Sequence, residues 1–398
     1  ACQQYGVLFY MRPEFHSKGV TLLSYFDVRS AINAKAGLTR DLAGEGNHVT
    51  AHFSIMLQAA LNTDESKLIV KKLPKDQTSN DIESISEVLE VKTLGERERL
   101  IEIIVNPRIV ENYGLTSKDF PLCHFINKIN LIKQQIQSGF GFVVIKNLPI
   151  DQFNEEDVKK MLWGIGQYIG YPEKQDKAGA LLHVVTDTGA DFAKSNHIRG
   201  FQTNEELQFH TDGADIFALL CIRNAKLGGL SKLVSSVAIF NEIEKTRPDL
   251  ALILQKEFYF DSRTQNPNDD KIQKIPIFVK HDNLITALYK RRYIRSAQRF
   301  EEVPKLTKLQ IEALDLIDKL CNDKKFCMSM QLSPGDLEIA SNATTFHSRE
   351  TYEDYADPNK RRCMIRLWLS LLHQRPLPQV YKRTREWEPT FRRRGLIN

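Results

Sequence analysis

The chain has 398 residues, 42% of them hydrophobic, enough to bury a substantial core and to exclude disorder as its organising state. A formal net charge of +5 is too small to mark a polycation. Six cysteines (Cys2, Cys123, Cys221, Cys321, Cys327, Cys363) without a CxxC pair exclude a disulfide framework or a structural zinc cluster and predict reduced thiols.

No apolar run reaches the roughly eighteen residues of a membrane span, and the opening Ala-Cys-Gln-Gln-Tyr-Gly lacks the basic-then-apolar layout of a secretory signal. A cytoplasmic protein without a membrane partner is expected. Residues 1–105 hold short apolar runs and a polar stretch at 72–81 but no chemical motif, and are read as an N-terminal extension of unknown role ahead of one domain over 106–398. Residues 131–137 read as a helix, broken by Ser138-Gly139-Phe140-Gly141 before a buried strand at 142–145. A second helix should begin at Asn154, a good N-cap followed by acids, with Val158, Met161, Leu162 and Ile165 at helical spacing, and stop at Gly170-Tyr171-Pro172.

Beyond Phe209 the pattern turns to short β-like runs at 216–222, 233–237, 275–279, 328–332 and 364–372, predicting a mainly β core with flanking helices, one of them at 306–321. Lys290-Arg291-Arg292-Tyr293 with Arg295 forms a basic helix-like segment that either meets an acidic substrate or is a solvated face. Residues 375–398 carry Arg375, Lys382, Arg383, Arg385, Arg392, Arg393 and Arg394 against Glu386 and Glu388, and read as a solvated tail. A nucleic-acid arm is disfavoured, because no aromatic stacking pattern accompanies the charge.

The chemistry centres on Phe209-His210-Thr211-Asp212-Gly213. Alternate residues of an extended strand face one way, so His210 and Asp212 can grip one ion, and Phe346-His347-Ser348, after a Ser333-Pro334-Gly335-Asp336 turn, offers a third ligand. Two histidines and a carboxylate cover one face of an octahedron and leave positions open, which suits iron(II) better than zinc. His-x-Asp alone is also a common surface pair, so context decides. In 361–370, alternation puts Arg362, Met364, Arg366 and Trp368 on one face and Cys363, Ile365, Leu367 and Leu369 on the other. Arginines inside an apolar strand call for anionic partners, hence a pocket for one or two carboxylates; an edge strand with solvated arginines is the alternative. His124, His183 and His197 have no ligand partner at chelating spacing and read as ordinary histidines.

These motifs resemble the taurine dioxygenase and clavaminate synthase-like family of iron(II)/2-oxoglutarate oxygenases over roughly residues 135–398. Gly228-Gly229-Leu230-Ser231 falls where that family has Gly-Gly-Asp-Thr, 342–347 is similar to its distal histidine segment, and Arg362 and Arg366 follow His347 like its paired arginines. The resemblance implies a double-stranded β-helix (jelly-roll) core and a metal held by His210, Asp212 and His347, with Fe(II), 2-oxoglutarate and O2 as cofactors. It further implies that Arg362 and Ser231 hold the cosubstrate, serine supplying the hydroxyl of the family's threonine. Arg366 would then meet substrate, and Gln202, Thr203 and Asn204 ahead of the metal strand either line its pocket or are ordinary polar loop residues. The implied reaction is oxidation, by default hydroxylation, of an unactivated C–H bond in a small anionic or amino-acid-like substrate, with succinate and CO2 as coproducts. Asp212 stands where halogenating relatives carry a small residue, which argues against halogenation. The rival readings are a non-catalytic metal- and ligand-binding module, and an oxygenase acting on a macromolecule.

Overall fold

The computed structural model describes residues 126–397 apart from 152, 177, 190–201, 264–269 and 373–374, and, before them, the three short strands Leu8–Met11, Leu23–Tyr25 and Val88–Glu90. The expected extension over 1–105 therefore lies largely outside the described residues, as do His124 and His197. In chain order the elements that build the core are α1 (Ile126–Ser138), β1 (Phe142–Lys146), α2 (Glu155–Ile169), β2 (Tyr171–Pro172), β3 (Leu182–Val185), β4 (Leu207–His210), β5 (Ile216–Arg223), β6 (Ser231–Ser235), α3 (Ser236–Thr246), α4 (Pro248–Leu254), α5 (Arg291–Ala297), α6 (Lys308–Cys321), β7 (Met328–Met330), β8 (Leu337–Ser341), β9 (Thr345–Arg349), β10 (Cys363–Ser370) and α7 (Glu388–Arg393).

Two sheets carry the site. The larger runs Val88–Glu90, β1, β8, β5, β10, β2, with β3 also on β10; the smaller runs β7, β6, β9, β4. All these pairings are antiparallel except that of Val88–Glu90 with β1, so the protein is mainly antiparallel β with helices around it. The alternation expected in β10 is what packs the larger sheet. Ile365, Leu367 and Leu369 turn outward into a core with Ile129, Ile132, Val158, Met161 and Leu162 of α1 and α2, each such burial contributing on the order of 1.5–3 kcal/mol. On the inner face Phe142, Phe217 and Ala340 of the larger sheet meet Leu233 and Met328 of the smaller, and this cluster joins the two layers.

Local signals explain the helix starts. Asn154 accepts from the Asp157 amide ahead of the acidic first turn of α2, and Thr307 and Gln310 form a capping box on α6. Among the described residues Cys221, Cys321, Cys327 and Cys363 are free thiols, and no helix is long and apolar enough to cross a membrane.

Three expectations need correction. The strand at 233–237 stops at Ser235, whose side chain accepts from the Ala238 amide and starts α3. The run at 275–279 is two strands, Ile272–Pro276 and Phe278–His281. The basic C-terminal stretch is not a solvated tail. Tyr381, Trp387 and Phe391 are fully buried in a second core, the Tyr381 hydroxyl donates to the carbonyls of Pro276 and Ile277, and Arg394 forms a buried ion pair with Asp215 at 3.1 Å. Counting charges missed the aromatic residues interleaved with them.

Candidate active site

β4 ends on His210 and β9 carries His347, and antiparallel pairing sets the two directly opposite, with ring centroids 4.2 Å apart. Asp212 lies two residues past His210, in a turn held by Asn342. The Asp212 amide donates to Asn342 Oδ1 at 2.9 Å, and Asn342 Nδ2 donates to the carbonyls of Gly213 and Ala214. Gly213 is there because the chain passes against Trp368, where a Cβ would come within 2.8 Å of the indole. The result is a facing set: Nε2 of His210 is 3.8 Å from Asp212 Oδ1, Nε2 of His347 is 3.7 Å from Oδ2, and all three donor atoms lie within 4.8 Å of one another.

The surroundings prepare these donors. His210 Nδ1 bonds the Gln208 carbonyl at 2.8 Å, which leaves Nε2 for an ion. Burial lowers both imidazoles below their ordinary range, His347 strongly, so each is in the neutral form a metal requires. Burial alone would push Asp212 up, but the Arg366 guanidinium beside it wins and holds the carboxylate well below the usual range. Arg366 Nη1 reaches Oδ2 and Oδ1 at 3.1 and 3.4 Å, and Trp368 Nε1 donates to Oδ2 at 3.0 Å. Gln175 locks the arginine in turn, accepting from its Nε at 2.8 Å and donating to its own-strand carbonyl and to that of Leu181. Arg366 thus lines the pocket while its charge is shared with a carboxylate of the candidate metal set.

Arg362, four residues earlier, behaves differently. It is buried over the Tyr352 ring, its centre 5.3 Å from the centroid, and its Nη1 is buried without a hydrogen-bond partner. On the same ring, at 4.6 Å, sits Arg349, also buried and also with a partnerless Nη1, while its Nη2 donates to the carbonyls of Thr203 and Glu205. Burial, then repulsion from Arg362, lowers Arg349 to about 10. Gly228 and Gly229, both with φ near +75°, turn the chain so closely past Thr351 and Arg362 that no side chain fits at Gly228, and Ser231 follows, buried. Beside it is Glu338, a buried carboxyl of β8, which burial raises and Ser231 draws back down. Buried guanidinium nitrogens without acceptors are costly, so this corner fits a carboxylate.

A pocket opens on His210 and Asp212, walled by Phe209, Lys290, Arg291, Arg292, Tyr293, Arg366, Trp368, Arg385 and Glu386. The basic segment therefore faces the site through residues 290–293, while Arg295 is not among the pocket's walls. Lys290 forms a β-bridge with His210 and an ion pair with Glu386 at 2.6 Å, while Arg291 turns to Asp315 and Asp318. Gln202 and Asn204 are not among these walls. Their carbonyls accept from the amides of Thr188 and Tyr352, which sets them beside Arg349. His183 pairs with Asp176.

Sequence reasoning missed Gln175, Arg349 and Glu338. Arg349 was findable, since strand alternation from His347 reaches it in two residues. Glu338 gave one signal, a lone acid in an apolar strand.

The sequence model of the family described as "Taurine catabolism dioxygenase TauD, TfdA family" matches residues 117–368. The chain is 27% identical over 305 residues to the FR-33289 synthase of Streptomyces rubellomurinus, covering 75% of this chain and 89% of that protein. It shares its fold with an asparagine oxygenase solved with Fe(II), 2S,3S-3-hydroxyasparagine and succinate (TM-score 0.57, 14% identity, 71% of this chain and 93% of that one). The same holds for the non-haem iron oxygenase OrfP solved with Fe and alpha-ketoglutaric acid (TM-score 0.56, 13% identity, 72% and 95%).

Proposed function

Because the chain belongs to the TauD/TfdA dioxygenase family and is a non-haem iron(II)- and 2-oxoglutarate-dependent oxygenase, we propose that His210, Asp212 and His347 hold its iron, that Arg362 and Ser231 hold the cosubstrate's distal carboxylate, and that it hydroxylates a small anionic or amino-acid-like substrate. Iron(II) with 2-oxoglutarate and O2 supplies oxidation of an unactivated C–H bond, with succinate and CO2 as coproducts. The observation that carries the reading is the joint presence of a facing His-Asp-His set and, in the same interior, a buried arginine with an unsatisfied nitrogen. The scaffold is read as a double-stranded β-helix, supported by two antiparallel layers sharing the inner cluster of Phe142, Phe217 and Leu233.

The residues around the centre divide the work. Arg366 reaches both oxygens of Asp212 and Trp368 donates to Oδ2, so the carboxylate is fixed in orientation for an ion. Trp368 and Phe209 give the pocket apolar wall, which excludes water from the reacting carbon. Lys290, Arg292 and Arg385 add positive charge against Glu386, which favours an anionic substrate group and steers it inward. Gln202, whose carbonyl holds the Thr188 amide, and Asn204, whose carbonyl holds the Tyr352 amide, flank the Thr203 carbonyl that takes Arg349, and are read as lining the substrate side from there. Of the basic C-terminal stretch, the one feature that spoke for a macromolecular substrate, Arg394 is spent on Asp215, Arg393 pairs with Glu173, and Arg385 stands in the pocket wall. The test is anaerobic addition of iron(II) and 2-oxoglutarate, watched for the visible charge-transfer band of the chelate. A band in wild type that is lost in His210→Ala supports the centre; none in folded, iron-loaded wild type refutes it.

A further inference from the structure

One buried carboxyl between the two sheets has no part in the candidate metal centre. Glu338 is 2% exposed in the middle of β8. Leu337 and Ile339 on either side of it turn outward under α1 and α2, whereas Ala340 joins the inner cluster, so Glu338 faces the interior with Ala340. Its partners across the sheet are apolar, Val144 of β1 and Leu219 of β5. An acid there needs polar company, and two groups supply it: the Ser231 hydroxyl of β6 and the Arg362 guanidinium ahead of β10.

Those are the two residues assigned above to the distal carboxylate of 2-oxoglutarate. Two carboxylates cannot both ionise at one arginine and one hydroxyl without strong repulsion, whereas a carboxylic acid beside a carboxylate donates a hydrogen bond to it. We propose that Glu338 is a cosubstrate-binding residue that receives the distal carboxylate of 2-oxoglutarate in its acid form, taking up a proton from solvent as the cosubstrate binds. The proposal rests on the assignment of Arg362 and Ser231 to that carboxylate.

Other charges nearby leave this intact. From β5, Cys221 is a thiol that burial pushes up to about 12, hence neutral. At the start of β8, Asp336 is paired with Lys146 of β1. Arg349 of β9 sits on the Tyr352 ring beside Arg362 but is not among the groups that act on Glu338, which besides burial are Ser231 and Arg362. Burial, opposed by Ser231 and Arg362, raises Glu338 to about 7, so near neutral pH the acid is half formed before any cosubstrate arrives.

The test is anaerobic calorimetry of 2-oxoglutarate binding to the iron(II)-loaded protein, in pairs of buffers with different ionisation heats. Wild type should take up close to one proton at pH 8 and almost none at pH 6, with affinity falling about tenfold per pH unit above 7. Glu338→Gln, which keeps a polar group beside Ser231, should show no uptake and a flat affinity. A merely structural Glu338 would leave the proton balance unchanged by the substitution. Absence of uptake in wild type at pH 8, or a slope that survives in Glu338→Gln, overturns the proposal. Arg362→Ala separates the layers: retained binding removes the Arg362 assignment and this inference together. Lost binding in Arg362→Ala with unaltered proton uptake in Glu338→Gln removes the Glu338 role alone.

Discussion

Arg362 and Arg366 stand on the same face, at the start and in the middle of one strand, both buried, yet one is satisfied within the protein and the other is not. Arg366 spends its guanidinium on Asp212 and Gln175, while Arg362 stacks on Tyr352 and keeps a buried nitrogen without an acceptor. An arginine with complete internal partners stabilises what it holds; one with incomplete partners costs stability until a ligand supplies the acceptor. The two should therefore fail in different ways, and a third arginine marks the structural extreme.

That extreme is Arg394, which pairs with Asp215 where the Leu371 amide and Thr390 hydroxyl also donate, tying the C-terminal segment to the start of β5. Arg394→Ala leaves Asp215 buried without its countercharge and should cost about 3–5 kcal/mol in denaturant unfolding at neutral pH. Asp215 is raised by burial to about 6, with Arg394 opposing. A raised acid contributes stability that is complete below its unfolded value and is lost as pH rises through about 6, and removing Arg394 raises it further. The deficit of Arg394→Ala should accordingly be larger at pH 7.5 than at pH 5. An equal deficit would mean the ion pair is not what the arginine contributes.

Next in size is Arg362→Ala. Truncating the arginine partner of a buried carboxylate costs about 2–5 kcal/mol, so the KM for 2-oxoglutarate should rise by a factor of roughly thirty to several thousand. Iron affinity should be unchanged, and thermal stability should hold or increase, because an unsatisfied buried charge has been removed. A fall in melting temperature comparable to that of Arg394→Ala would put Arg362 in the structural class instead.

Much of this contrast was hidden in the sequence for a physical reason. Strand alternation makes His210, Asp212, Arg362 and Arg366 readable, because it depends only on neighbours in the chain. Which arginine already has a partner depends on the turn at 212–214 and on Gln175, nearly two hundred residues from Arg366 in sequence, and no local pattern reports that. Glu338 was obscure because 333–336 read as a turn and the strand after it is short. The strand expected at 233–237 overran because its apolar run continues through Ser235 into α3, where the same hydrophobicity serves a helix face. The C-terminal stretch misled in the opposite sense, since Tyr381, Trp387 and Phe391 carry more folding information than the seven basic residues around them.

Arg366→Ala should come third. Partners that orient a metal ligand typically change affinity by about 10–100-fold, and iron(II) titration should show a loss of that order with the KM for 2-oxoglutarate little altered, the reverse of Arg362→Ala. Arg366→Lys should not rescue it, because a single ammonium cannot serve Asp212 and Gln175 together. If both arginine variants shift both quantities alike, the division between them is wrong.

Ser231→Ala should have the smallest effect and make the sharpest comparison, because it removes one neutral donor and leaves every charge in place. A hydrogen bond of this kind is worth about 0.5–1.5 kcal/mol, which sets the expected rise in the KM for 2-oxoglutarate at roughly two- to tenfold. Ser231→Thr keeps the hydroxyl and should stay near wild type, since Gly228 and Gly229 rather than Ser231 itself make the turn that delivers it. Succinate release measured against 2-oxoglutarate concentration in the two variants reads this directly. If alanine and threonine raise KM equally, the position matters for packing against Glu338, and the carboxylate's holders reduce to Arg362 and its neighbours on Tyr352.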